Sequence, residues 1–183
     1  MWPPSRGWLL FGVIAAVATA VDLVTKAALF DRLGMPGEKP PIVIVPRVLT
    51  LETNLNEGAL FGMGQGMGAV FATVSCLAIV GILVTVSRPT VRGEPWLLAA
   101  LGLITGGILG NLYDRLGLPG LEWHAPLGRV GEPVFAVRDW IHFALEGIID
   151  WPIFNLADTW LVIGAGLLIL LSFITTPVTP DAD

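Results

Sequence analysis

Four stretches of the chain, approximately residues 8–30, 68–87, 96–114 and 154–174, are long and apolar. Each has the length of about 20 residues that a helix needs to cross a hydrocarbon layer about 30 Å thick, so each is read as a transmembrane helix. The first has a rival reading, because Arg6, the apolar run after it and Ala18-Thr19-Ala20 resemble a secretory signal with its cleavage site. The apolar character continues past Ala20 through Leu23, Val24, Ala27, Ala28, Leu29 and Phe30, which favours one spanning helix. Between the first two spans the pattern changes. Residues 42–50 are rich in β-branched side chains bounded by prolines, and the glycine-rich GALFGMGQGMG follows, so short strands and turns are expected over about 40–66. Residues 117–133 carry glycine, proline and mixed charge without a sustained apolar face, and read as an inserted flexible extracytoplasmic flap or partner contact outside the core. DWIHFALEGI, at about 139–149, reads as an amphipathic helix lying at the interface. The tail 175–183 lacks apolar periodicity and reads as disordered.

Composition agrees with lipid as the solvent. Hydrophobic residues make up 54% and charged residues 14% of the chain, with a net charge of -5, a balance that argues against a nucleic-acid partner. The single cysteine, Cys76, lies in an apolar run and excludes both a disulfide framework and a zinc site of paired cysteines. Only two histidines are present, His124 and His142, neither in a metal-binding motif nor beside a nucleophile elbow. Neither a metal nor a cofactor is expected. Arg88 and Arg92 crowd the short turn between the second and third spans, which places that turn and, with an even number of spans, both termini in the cytoplasm. Trp8 and Trp96 would mark one membrane interface and Trp140, Trp151 and Trp160 the other.

The candidates for chemistry are the polar residues that hydrocarbon should not hold. Asp22 and Lys26 share a helix face, either as a structural ion pair or as the border of a wet cavity. Gly102, Gly106 and Gly110 recur every four residues, a face that lets another helix approach closely. Asn111, Asp114 and Arg115 gather at the end of the same span, which suggests a polar site beside the membrane surface. Near the start of the fourth span Asn155 and Asp158 share a face; helix capping explains both, and an acid at that depth also suits a functional interior. Asp139 alone reads as a cap. Paired with Asp158 it gives two carboxylates that share one proton and hold one water, able to act as general base and general acid together. The alternative is a proton-coupled membrane carrier or channel using Asp22, Lys26, Asn111 and Asp158 as a relay, although the inverted repeat and broken helices of such proteins are missing from the pattern.

Four blocks in order resemble the lipoprotein signal peptidases, or signal peptidase II: DLVTK with Asp22 and Lys26; NEGALF with Asn56, Gly58, Ala59 and Phe61; GGILGNLYDRL with Gly106, Gly107, Gly110, Asn111, Asp114 and Arg115; and VRD with FNLADT. The resemblance spans roughly residues 8–174. It implies a mainly α membrane protein of one domain over 1–174, with four transmembrane helices, a small extracytoplasmic β-cradle and an interfacial helix. It also implies an aspartyl endopeptidase of the bacterial cytoplasmic (inner) membrane that removes the signal peptide from diacylglyceryl-modified prolipoproteins and is sensitive to globomycin. By motif position Asp139 and Asp158 would be catalytic, Asn56, Gly58, Asn111, Arg115 and Asn155 would line or brace the site, and Asp22 and Lys26 would be a structural polar pair. The insertion at 117–133 departs from the family pattern, as does Arg138 where an apolar residue is usual, and together they leave Asp150 as a rival to Asp139.

Overall fold

The computed structural model describes residues 4–58, 64 and 66–174; Ala59, Phe61 and the tail expected to be disordered lie outside them. In chain order the elements are α1 (Pro4–Leu33), β1 (Ile42–Val45), β2 (Leu49–Asn56), α2 (Gly68–Ser87), the single turn α3 (Pro89–Arg92), α4 (Pro95–Arg115), β3 (Val137–Leu145), β4 (Ile149–Asp150) and α5 (Leu156–Ile174). Four helices, α1, α2, α4 and α5, are long and apolar enough to cross a membrane. Their boundaries have local causes. Pro95 opens α4 at a position whose N–H would have no helical partner. Gly117, at φ 70°, takes a left-handed conformation that side chains rarely adopt and reverses the chain just past α4.

Helix α4 is central, with α1, α2 and α5 packed around it. Its glycine stripe faces α1. A Cβ on Gly102 would meet Ile14 at 3.0 Å, one on Gly106 would meet Ala18 at 2.5 Å, and one on Gly110 would meet the Asp22 carboxylate at 2.3 Å. Contact advances together along both helices, so α1 and α4 run parallel. On the next face Gly107 lies against Ala157 and Leu161 of α5, whereas Gly164 of α5 lies against Ala100 and Ile104, so α5 runs antiparallel to α4. In lipid no water drives helices together, and this closeness of backbones supplies the van der Waals contact that holds them.

Val13 and Val17 of α1, Val74, Leu77 and Val80 of α2, and Val162, Ile169 and Phe173 of α5 are exposed, while Asp22, Lys26, Asn111 and Asp114 are buried. Apolar outside and ionic inside is the arrangement a hydrocarbon solvent selects. One end of the bundle is closed by an apolar cluster of Phe11, Val86, Leu98 and Leu101. The ionic residues occupy the other end, where α1 and α4 meet the sheet.

That sheet is antiparallel, in the order β1-β2-β3-β4. The interfacial helix expected over 139–149 is therefore a correction: most of it is strand β3, followed by a turn and β4. Val137, Trp140, Ile141 and Phe143 suit a pleated surface, β2 offers them a pairing edge, and Gly147 at φ 77° turns the chain where a helix would continue. Trp140, expected at a lipid interface, is only 9% exposed. The segment 117–133 is also not the loose flap expected from its composition. Val134 donates to Leu121 (2.9 Å) and Trp123 to Glu132 (2.9 Å), which makes it a paired excursion. Leu121 and Trp123 pack on Met35, Val134 and Ala136, so its base belongs to a small core of its own.

Candidate active site

Strand pairing assembles the polar groups. The register sets Asn54 opposite Asp139, which puts Asn56 two positions along on the same face. The Asn56 Nδ2 donates to Asp139 Oδ2 at 3.2 Å. On the other edge of β3, Phe154 exchanges backbone hydrogen bonds with Ile141, at 2.8 and 3.0 Å. This delivers Asn155 to Asp139, whose Oδ1 accepts from Asn155 Nδ2 at 2.6 Å.

Asn155 immediately precedes α5 and caps it. Its Oδ1 accepts the Asp158 N–H at 3.0 Å, and Asp158 Oδ2 accepts the Asn155 N–H at 3.3 Å. That reciprocal pair is a capping box, and it leaves Asp158 half-buried at the head of α5. The remaining oxygen, Oδ1, accepts from Asn111 Nδ2 at 2.8 Å. The Asn111 amide has one possible orientation. Its Oδ1 faces Lys26 Nζ at 3.0 Å and Asn155 Nδ2 at 3.1 Å, both donors, so its NH₂ must face Asp158.

Lys26 anchors this network. Its Nζ donates to Asn111 and forms ion pairs with Asp22 at 2.8 Å and Asp114 at 3.0 Å. Asp22 also accepts the Ala157 N–H at 2.9 Å, satisfying a donor in the first turn of α5. Asp114 accepts from Arg138 twice, from Nε at 2.8 Å and from the backbone N at 3.1 Å. Asp22, Lys26 and Asp114 are 0% exposed and Arg138 is 5% exposed; two cations balance two anions, the condition for burying any of them. Asp22 and Lys26 thus form an ion pair within a charge-balanced buried cluster. Arg138 is the site residue the sequence reading missed: an arginine in an apolar strand beside an aspartate carried the signal, and its partner, Asp114, lay a whole insertion away.

Arg115 donates from Nη2 to the Gly58 carbonyl at 2.9 Å and lies over the Phe71 ring at 5.3 Å. Gly58 is held from the other side, its N–H donating to Asn56 Oδ1 at 3.0 Å. Glu57, Ala72, Arg115 and Phe135 line a cleft of about 520 Å³ at the head of α2. Asp150 sits apart from all of this. Its side chain is 81% exposed on β4 and bonds His142 at 2.7 Å, while the other ring nitrogen of His142 contacts Glu52.

The two central acids differ in environment. Asp139 is 1% exposed, and burial first, then the Asp158 carboxylate, pushes its carboxyl up to about 8. It therefore keeps its proton at neutral pH. Asp158 stands half-buried in the first turn of α5. Two carboxyls joined in a single network can together add a water to a carbonyl, one group taking a proton and the other supplying one.

Comparison with known proteins places the chain in company. The family described as Signal peptidase (SPase) II matches residues 14–174. A Lipoprotein signal peptidase of Rhodopirellula baltica is 41% identical over 177 residues, covering 94% of this chain and 74% of the relative. Another, from Symbiobacterium thermophilum, is 36% identical and covers 86% of this chain and 90% of the relative. A solved structure described as a bacterial membrane enzyme superposes with a TM-score of 0.72 at 23% identity over 93% of this chain and 92% of its own, which supports the fold.

Proposed function

The chain belongs to the signal peptidase II family, and from that premise we propose that Asp139 and Asp158 are its catalytic pair. The protein is a multi-pass membrane aspartic endopeptidase that removes the signal peptide from prolipoproteins. The carrier or channel alternative falls away. In the proposed step a water held between the carboxyls attacks the carbonyl preceding the lipidated cysteine. Asp158 takes the water's proton as the new C–O bond forms, and Asp139 gives its proton to the carbonyl oxygen. Collapse of the tetrahedral intermediate breaks the C–N bond, with a proton passing to the departing amine. Asn56, Asn111 and Asn155 hold the two carboxyls, and Arg115 braces the Gly58 turn. The observation that carries this reading is the Asn155 carboxamide, which bonds Asp139 while capping Asp158. Acyl chains resting among the helices would position the substrate, replacing much of the work of a deep cleft.

Purified protein incubated with a diacylglyceryl-modified precursor should release a signal peptide, and globomycin should block the release. The rate should fall as pH rises through about 8, because Asp139 then loses the proton it must donate. A rate that stays level well above that pH would remove Asp139 from the acid role.

The same proposal puts both termini and the Arg88 to Arg92 turn in the cytoplasm, and the sheet, the 117–133 excursion and the active site on the extracytoplasmic side. Single cysteines at Gly93 and Leu127 in a Cys76→Ser background provide the check. An impermeant thiol reagent added outside should label Leu127→Cys, which is 95% exposed, and spare Gly93→Cys; the reverse pattern inverts the topology.

A further inference from the structure

The excursion at 117–133 reaches the active-site turn through one side chain. Arg129 donates from Nη1 and Nη2 to the two carboxylate oxygens of Glu57, at 2.9 and 3.0 Å. Its Nε donates to Glu132 at 3.1 Å, and its guanidinium lies over the Trp123 ring at 4.2 Å. All three nitrogens of the fork are committed and its face is stacked, which fixes the direction in which it points. The platform is fixed as well: Trp123 packs on the Met35, Val134 and Ala136 cluster, and His124 contacts Glu38 in the connection after α1.

Glu57 is the middle residue of the turn that serves the dyad. Asn56, before it, donates to Asp139, and Gly58, after it, accepts from Arg115. The grip of Arg129 on Glu57 therefore acts on the backbone that aims the Asn56 carboxamide. We infer that Arg129 is a positioning residue for cleavage, holding Asn56 against Asp139 from outside the helix bundle. Arg129 and Glu57 are 33% and 28% exposed, so the pair contributes little to global stability. Its effect falls on the rate, where a small displacement of a catalytic partner is amplified.

The inference rests on the peptidase reading, and the experiment separates the two. Arg129→Met, Glu57→Gln and the double variant are assayed beside wild type with saturating lipidated precursor, and their Tm is measured in detergent. Each single variant should lose about fivefold in kcat with KM within about twofold and Tm within about 2 °C of wild type. The double variant should be no slower than either, because both changes remove one contact. Arg129→Lys, which keeps the charge and loses the fork, should fall between. If Arg129→Met does not fold, Glu57→Gln reads the same contact from its other end. Single variants with wild-type kcat, losses confined to KM, or losses that multiply in the double variant would each overturn the positioning role. An inactive wild type would instead overturn the peptidase reading.

Discussion

Asp139→Asn and Asp158→Asn should each reduce release of the signal peptide at least about a thousandfold, and the double variant should be no worse than either, because the two acids act as a unit. Asparagine has nearly the shape of aspartate but neither takes nor gives the proton. The substitution also has a structural effect that follows from the contacts. Both oxygens of each carboxyl accept from N–H donors: Asn155 and Asn56 at Asp139, Asn111 and the Asn155 backbone at Asp158. An asparagine at either position turns one NH₂ toward a donor, so each variant should also lose about 1–3 kcal/mol of stability. A thermal melt run beside the cleavage assay separates the two effects, since that loss leaves folded protein whose inactivity must be chemical. Asp150→Asn, on the exposed hairpin, should cleave normally; cleavage at the wild-type rate by either Asp139→Asn or Asp158→Asn would end the two-carboxyl mechanism.

Lys26→Met should destabilise the protein by about 3–5 kcal/mol, the range for removing one partner from a buried ion cluster. Methionine fills similar space and leaves Asp22 and Asp114 with Arg138 as the remaining buried cation. It also removes one of the two donors that hold the Asn111 amide, leaving Asn155 alone, so Asn111 is held less firmly against Asp158 and activity should fall with stability. Adding Asp22→Asn to Lys26→Met restores the charge balance and should recover part of the lost Tm. An unchanged Tm in Lys26→Met would show that the ammonium is not the anchor described above.

The spanning helices were legible because length and apolarity are local properties, and the Gly102, Gly106 and Gly110 stripe because small residues at that spacing have one common use in lipid. The identity of β3 was not. VRDWIHFAL looks amphipathic in isolation, and its strand state comes from the edge of β2 and the turn at Gly147, both outside the window that a periodicity argument sees. For the same reason Asp139 and Asp150 remained rivals in sequence. What separates them is burial and register: one lies between Asn56 and Asn155, the other is in solvent beside His142. Arg138 was visible as an oddity and opaque as to purpose, because its partner Asp114 precedes the insertion. The excursion itself was misread as loose, since glycine and proline mark the turns of an ordered hairpin as readily as those of a mobile loop.

The contact between Asp22 and the Ala157 N–H joins positions separated by 135 residues, one in α1 and one at the head of α5. During biogenesis α1 must enter the bilayer before any of its later partners exist, and a lone charge at mid-membrane costs about 2.5–3.5 kcal/mol on insertion scales. The pairing of Asp22 with Lys26 on the same helix lets α1 wait there as a neutral unit. Asp139 likewise leaves the ribosome ahead of Asp158. On the proposed mechanism, a chain with α1, α2 and α4 inserted therefore holds half a dyad, and cleavage begins only once α5 docks.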